Sequence, residues 1–160
     1  MPIRPSTPAD HEAIWAILEP VFSAGESYAI DPDISREDAL DYWLGTDRES
    51  FVFEQDGAVL GTYYLRTNAG GGGSHVCNCG YITAPAAAGR GIARQMCLHS
   101  LDQARARSYR AMQFNFVVAT NTRAIDLWET LGFATVGTLP GAFNHPRHGM
   151  VDALVMYQSL

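Results

Sequence analysis

Apolar residues at Ile14, Ile17, Leu18 and Val21 recur at the spacing of one helical face. They follow Thr7-Pro8-Ala9-Asp10, which combines a capping Thr, a Pro suited to a first helical turn and an acid three residues after the Thr. This pattern predicts a first helix, entered from a short strand that ends at Ile3-Arg4. Gly25 to Pro32 breaks the periodicity. Ser35-Arg36-Glu37-Asp38 then starts a second helix with Leu40, Trp43 and Leu44 on its apolar face.

The period next changes from helix to strand. Phe51-Val52-Phe53 predicts a strand, Asp56-Gly57 a hairpin turn, and Ala58 to Leu65 the return strand. Gly70 to Gly73 reads as a loop tip before another strand, His75 to Thr83. Gly91 to Arg107 reads as a helix, with Ile92, Ala93, Met96, Cys97, Ser100, Leu101 and Ala104 on one small or apolar face. Met112 to Ala119 is nearly continuous in apolar character, which predicts a central strand covered on both faces. Asn121 to Leu131 predicts a helix carrying Ala124, Ile125, Leu127, Trp128 and Leu131, closed by Gly132 as C-cap. Phe133 to Val136 and Val151 to Tyr157 are the last predicted strands, with an irregular loop, Pro140 to Gly149, between them. The order β-α-α-β-β-β-α-β-α-β-β describes an α+β chain with helices against both faces of one sheet. No boundary or repeat divides it, so residues 1–160 are expected to form a single domain.

Composition narrows the function. The 160 residues suit one core, and 47% are hydrophobic, as in an ordinary globular domain. A formal net charge of -6 argues against a nucleic-acid partner, which needs clustered Lys and Arg, and suits a cationic or zwitterionic small substrate. The cysteines are Cys77, Cys79 and Cys97, an odd, low number expected of reduced intracellular thiols. Cys77-Asn78-Cys79 has no second ligand pair nearby, so half-buried strand cysteines are expected and a metal is not. The first eight residues hold no apolar signal core, and no stretch approaches the ~18 apolar residues of a membrane span. A cytoplasmic protein with no membrane partner is expected.

The most informative segment runs from Tyr81-Ile82-Thr83 through Ala88-Gly89-Arg90-Gly91-Ile92-Ala93-Arg94. A strand ends, glycines punctuate a turn, and an amphipathic helix begins. Free amides at a helix start form an anion site, and glycines let a phosphate approach the backbone. Arg90 and Arg94 add positive charge. A P-loop is excluded because no Gly-Lys-Ser/Thr follows. A dinucleotide fingerprint is excluded because Arg94 stands where its last Gly belongs.

The run Gly89-Arg90-Gly91-Ile92-Ala93 resembles the cofactor loop of the GNAT superfamily, Arg/Gln-x-x-Gly-x-Gly/Ala, with Ala88 in place of its opening Arg or Gln. The block Asn121-Thr122-Arg123-Ala124-Ile125-Asp126-Leu127-Trp128-Glu129-Thr130-Leu131-Gly132-Phe133 resembles the signature Asn-x-x-Ala-x-x-Leu-Tyr-x-x-x-Gly-Phe of the same superfamily. Alone, Asn121 reads as an N-cap, Gly132 as a C-cap and Phe133 as core. The resemblance spans about Phe51 to Leu160.

It implies a mixed, mostly antiparallel sheet with two splayed central strands, and direct acetyl transfer from acetyl-CoA to an amine. By the resemblance, backbone groups of Tyr81, Ile82 and Thr83 pair with the pantetheine arm. The amides of Gly89, Arg90, Gly91, Ile92, Ala93 and Arg94 take the pyrophosphate, and Asn121 lies near the thioester. A strand N–H polarises the thioester carbonyl. Many members have Tyr as acid where this chain has Trp128. Indole lacks useful acidity, so Trp128 is expected to pack along the pantetheine and no catalytic acid is named. Glu26 is the candidate base, with Asp31 and Asp33 weaker; His145 and His148 are candidates to line the acceptor pocket. A homodimer is also expected.

Asn78 and Asn115 stand in predicted strands, where Asn is depleted and a buried amide needs partners. Two amides facing one gap could hold a carboxylate or an amine; bonds to each other or to backbone are the alternative. Val21-Phe22-Ser23, Phe114-Asn115, Ala119-x-Asn121, Leu127-Trp128 and Val136-Gly137-x-Leu139-Pro140 resemble the fungal acetyltransferases that detoxify proline analogues. That resemblance implies a cyclic amino acid as acceptor, its carboxylate held by Asn78 and Asn115. A silent acetyl-CoA-binding module and a protein acetyltransferase are the competing readings.

Overall fold

The computed structural model describes residues 2–160. The elements are β1 (Ile3–Pro5), α1 (His11–Ala24), α2 (Arg36–Trp43), β2 (Arg48–Gln55), β3 (Ala58–Thr67), β4 (Val76–Thr83), α3 (Ile92–Ala106), β5 (Ala111–Val118), α4 (Thr122–Thr130), β6 (Ala134–His145) and β7 (Gly149–Ser159). One seven-stranded sheet has the order β1-β2-β3-β4-β5-β7-β6. Among the described residues, only β4 and β5 pair in parallel. This is the mixed, mostly antiparallel fold the motifs imply.

Local chemistry explains the starts and turns. The Thr7 N–H donates to Asp10 Oδ2 at 2.7 Å, closing the turn that leads into α1. Arg4 grips the same carboxylate at 2.8 and 2.9 Å and holds its pKa down at about 2. Ser35 Oγ accepts the Asp38 N–H at 3.1 Å and caps α2. Asp56 and Gly57 take φ of 53° and 79°, the left-handed pair a two-residue hairpin needs.

Each face of the sheet buries its own cluster. Met96, Cys97 and Leu101 of α3 and Trp128 of α4 pack on one face, with Tyr63, Leu65, Cys77, Cys79 and Phe114. Ile14, Leu18 and Phe22 of α1 and Leu40 and Trp43 of α2 pack on the other, with Val52, Tyr64 and Ile82. The alternation along β3 and β4 assigns the faces, since successive strand residues point to opposite sides.

Two sequence expectations need correction. Pro140 to Gly149 is not an irregular loop: β6 runs through it to His145 and pairs with β7. Its register shifts between Thr135 and Gly137 and between Leu139 and Phe143. Pro140 is tolerated because β6 is an edge strand broken by that shift. Gly141 turns there at φ 58°, and its N–H finds Asp152 Oδ1 at 2.9 Å. Few side chains from Gly137 to His145 are buried, so no alternation marked this continuation of the strand expected at Phe133 to Val136. Second, β5 is central but not covered throughout, because Gln113, Asn115 and Phe116 are only half-buried. The cysteines go the other way. All three are free and fully buried, and burial pushes Cys77 and Cys97 up to about 12.

Candidate functional site

The parallel ladder between β4 and β5 holds for two register pairs, Val76↔Ala111 and Cys77↔Met112. Beyond them the strands part. At the fork a side chain replaces the ladder: Asn78 Nδ2 donates to the Gln113 carbonyl at 2.9 Å. Meanwhile β5 bulges between Phe114 and Val117 against β7. The result is a cleft of ≈ 340 Å³ between β4 and β5, roofed by Ser27 to Ile30 of the segment between α1 and α2. Tyr28, Tyr64, Arg66, Asn78, Asn115 and Trp128 are among its walls, and no Asp or Glu of the described residues lines it.

The cleft edge of β4 is defined by hydrogen-bond parity. Asn68 N–H bonds the Val76 carbonyl at 2.9 Å and Ala84 N–H the Leu60 carbonyl at 2.8 Å. Even-numbered residues of β4 therefore spend their main-chain groups on β3, and Cys79, Tyr81 and Thr83 turn theirs to the cleft. Ile82 belongs to the first set, and its side chain is buried in the α1–α2 core. The expected trio Tyr81, Ile82 and Thr83 thus becomes Cys79, Tyr81 and Thr83 as far as free main-chain groups go. The Tyr28 hydroxyl donates to the Tyr81 carbonyl at 3.1 Å, tying the roof to this edge.

Gly80 lets that wall close. A Cβ there would lie 2.5 Å from the Tyr64 ring, which crosses the strand at this point.

After β4 the chain makes a tight turn over Pro85–Ala87 and enters α3 through Gly89 and Gly91, at φ 79° and 75°. No side chain caps α3, so its first amides are open to an anion. A Cβ at Gly91 would meet nothing within 4 Å. A Cβ at Gly89 would lie 3.4 Å from the Arg123 guanidinium, so Arg123 flanks this turn along with Arg90 and Arg94. Arg90 itself donates to Gln55 Oε1 at 3.1 Å. Arg123 was missed in the sequence, although a cation in the first turn of α4 opposes the helix dipole and could have flagged it.

Asn121 precedes α4 but its side chain makes no cap bond, so the plain capping role is not what occupies it; it lines the cleft. Trp128 is 8% exposed and wedged against Tyr81 and Phe114, with ring centroids 5.1 and 5.2 Å away. The Tyr81 hydroxyl is spent on Ser100 Oγ at 2.7 Å, and burial raises its pKa well above the usual phenol value. It is not a proton donor for this cleft.

Asn78 and Asn115 line the same cleft from opposite strands and do not bond each other. Asn115 Nδ2 donates to Asn68 Oδ1 at 2.7 Å, and its Oδ1 accepts from Gln113 Nε2 at 2.9 Å. Arg66 Nε donates to Asn78 Oδ1 at 3.1 Å. Each amide therefore keeps one N–H in hand.

The other candidates do not reach the cleft. Glu26 is not among its walls and is ion-paired with Arg147 of the β6–β7 turn, so it is not placed as a base. His145 Nδ1 accepts the N–H groups of Arg147 and His148 at 3.1 and 3.3 Å, so these histidines build the hairpin turn and not the pocket. Asp31 Oδ1 takes the Asp33 N–H at 2.9 Å in an exposed local turn. Arg66, Tyr28 and Tyr64 were not anticipated. Among the described residues, no three His, Cys, Asp or Glu side chains group as metal ligands, and no helix is long and apolar enough to cross a membrane.

Comparison with known proteins agrees with this geometry. A model described as "Acetyltransferase (GNAT) family" matches residues 11–133. A GCN5-related N-acetyltransferase structure from Kribbella flavida superposes with a TM-score of 0.94 at 41% identity, covering 99% of this chain and 96% of that one. N-acetyltransferase aca1 of Schizosaccharomyces pombe is 29% identical over 148 residues, 82% of this chain and 71% of its own length. It is a fungal relative, consistent with the fungal resemblance drawn from the motifs. A phosphinothricin acetyltransferase from Sinorhizobium meliloti, solved with acetyl-CoA, shares the fold at 20% identity, with a TM-score of 0.85 over 99% of this chain and 87% of that one. The chain therefore belongs to the GNAT acetyltransferase family, and its reaction is the transfer of an acetyl group from acetyl-CoA.

Proposed function

We propose that this enzyme acetylates the amine of a small, carboxylate-bearing molecule by direct transfer, with a cyclic amino acid as the type substrate. The observation that carries the reading is the cleft itself: two strand amides and one guanidinium project into a small roofed space that no carboxylate lines. Its size and its Ser27 to Ile30 roof favour a small acceptor over a peptide. The open turn at Gly91 and the free main-chain edge of β4 suit any acetyl-CoA-binding module; the roofed acceptor cleft beside them favours a working enzyme over a silent one.

Acetyl-CoA, when bound, supplies the activated thioester carbonyl. The residues present suit it. The amides of Gly89 to Arg94, with Arg90, Arg94 and Arg123 around them, match a pyrophosphate. Cys79, Tyr81 and Thr83 offer main-chain partners to an extended arm, with Asn121 and Trp128 beyond. A β4 N–H facing the cleft would take charge that develops on a carbonyl oxygen. Among the described residues no carboxylate or imidazole lines the cleft, so no base of either kind stands there. The three free, buried thiols suit a cytoplasmic enzyme, and exposed Val136, Leu139 and Met150 on β6–β7 suit a homodimer.

Free-thiol release from acetyl-CoA across a panel of amines tests the reading. The chain contains no lysine, so no side-chain amine of its own consumes the acetyl group. Asn115→Ala should raise KM for azetidine-2-carboxylate by about ten- to a hundredfold, as expected for one charge-assisted hydrogen bond, with far less effect on bare azetidine. A lower melting temperature with equal losses for both amines would assign Asn115 to structure alone.

Trp128 should behave as packing. Trp128→Phe is expected to keep most of the turnover, because a thiolate with a pKa of about 8.5 leaves readily without an acid. Trp128→Tyr should be unimpaired and faster at high pH. A loss beyond ~10³ for Trp128→Phe, with acetyl-CoA affinity unchanged, would reveal a chemical role for the indole.

A further inference from the structure

Every side-chain cation in this chain is an arginine, eleven in all. Six of them, Arg4, Arg36, Arg48, Arg105, Arg107 and Arg147, hold a carboxylate within ion-pair distance. Arg90, Arg94 and Arg123 gather at the glycine turn, and Arg110 is exposed to solvent and does not line the cleft. That leaves Arg66, which among the described residues makes no ion pair and lines an acceptor cleft with no Asp or Glu in its walls. An unpaired guanidinium in a partly desolvated cleft lacks a counter-charge, and an anionic ligand would supply it.

The local geometry shows how the ligand would be met. Arg66 on β3 sits in register with Asn78 on β4. Asn78 Oδ1 accepts from Nε at 3.1 Å, so the guanidinium is held by its inner nitrogen. Both terminal nitrogens have no protein partner among the described residues, and they form the parallel fork that matches a carboxylate. Asn78 is itself pinned by its bond to the Gln113 carbonyl at 2.9 Å. Asp47, whose carboxylate Arg66 helps to hold below the usual range, is bonded by Arg48 Nε at 2.8 Å and does not line the cleft. No lysine could substitute here with the same two-point geometry.

We propose that Arg66 is the specificity-determining residue of this enzyme, its guanidinium fork taking the carboxylate of an α-amino acid acceptor while Asn78 positions the fork. This rests on the small-molecule reading above and adds to it the group that selects the substrate class. It also changes the part played by Asn78, which acts on the ligand through Arg66 as a positioning residue.

The test uses azetidine-2-carboxylate and its decarboxylated counterpart azetidine, with the full chain. In the parent enzyme kcat/KM should favour the carboxylate. Arg66→Gln should reduce that preference about ten- to a hundredfold, and Arg66→Lys should restore part of it. Calorimetry of azetidine-2-carboxylate in the presence of CoA should show the same Arg66 dependence in Kd, independent of turnover. Equal losses for both amines, or a parent enzyme that prefers azetidine, would overturn the anchor and leave the small-amine reading standing. Arg66-dependent binding without any acetylation would keep the anchor and sink the small-amine reading. Neither binding nor turnover of the carboxylate would overturn both.

Discussion

Gly91→Asp should weaken acetyl-CoA binding by about a hundredfold while leaving the protein folded. Gly91 sits at φ 75° at the mouth of α3, where a Cβ would enter open space. The space a side chain would enter is the space a pyrophosphate needs. The new carboxylate would also lie against the open amides of α3 and satisfy them in place of the ligand. Losing one charge-assisted bond costs roughly 1.5–3 kcal/mol, which is about ten- to a hundredfold, and charge repulsion adds to it. Backbone strain has to be separated from charge, because side chains rarely take this conformation. Gly91→Asn supplies the control: it has nearly the same shape and tolerates the left-handed region, without the charge. Calorimetry should rank parent, Asn and Asp in falling affinity, with the larger gap between Asn and Asp. Equal affinities in folded protein would remove the pyrophosphate from this turn.

Trp43→Ala should be the most damaging single change to stability, costing about 3–5 kcal/mol. Trp43 on α2 is fully buried, and its indole N–H donates to Thr62 Oγ1 at 3.0 Å. Its ring meets Tyr64 at 4.9 Å, Tyr28 at 6.1 Å and Phe22 at 6.3 Å. Thr62 would stay satisfied, since its hydroxyl also donates to the Phe51 carbonyl at 2.8 Å. The loss is therefore one of packing, with no orphaned polar group. For a domain of this size the melting temperature should fall by roughly 10 °C or more. Tyr28 and Tyr64 both line the cleft, so acceptor KM should rise before acetyl-CoA affinity changes. Trp43→Phe should cost clearly less in denaturant unfolding. A loss under about 1 kcal/mol for Trp43→Ala would mean that α2 does not hold the roof.

Glu26 shows where a sequence argument about this site fails. The family resemblance makes the break after α1, where Glu26 lies, part of the acceptor side. Glu26 in fact pairs with Arg147, 121 positions away in the chain. An ion pair across that distance leaves no local mark on either residue. Arg66 is the converse case. Nothing around Leu65-Arg66-Thr67 distinguishes it from a solvated strand end. Only the arrival of β4 with Asn78, and the parting of β5, turns it toward a cleft.

What the sequence determined by itself was everything written in short-range geometry. The left-handed glycines at 89 and 91, the Asp56-Gly57 hairpin and the caps before α1 and α2 depend on a residue and its near neighbours. So do the helical faces of α1 and α3, and the spacing of the two motifs that carry the family. The tertiary structure decided what needs two distant strands to meet. It opened the cleft by ending the β4–β5 ladder after Cys77, and the parity of pairing with β3 turned the main-chain groups of Cys79, Tyr81 and Thr83, and not those of Ile82, toward it. It carried β6 past the expected Phe133 to Val136 as far as His145 by pairing it with β7, although few of those added side chains are buried and no hydrophobic period could announce them. It also drew Arg123 to the glycine turn, and left Arg66 in the cleft without a counter-ion. Charge balance in a cleft belongs to the walls that surround it, and those walls come from seven separate stretches of chain.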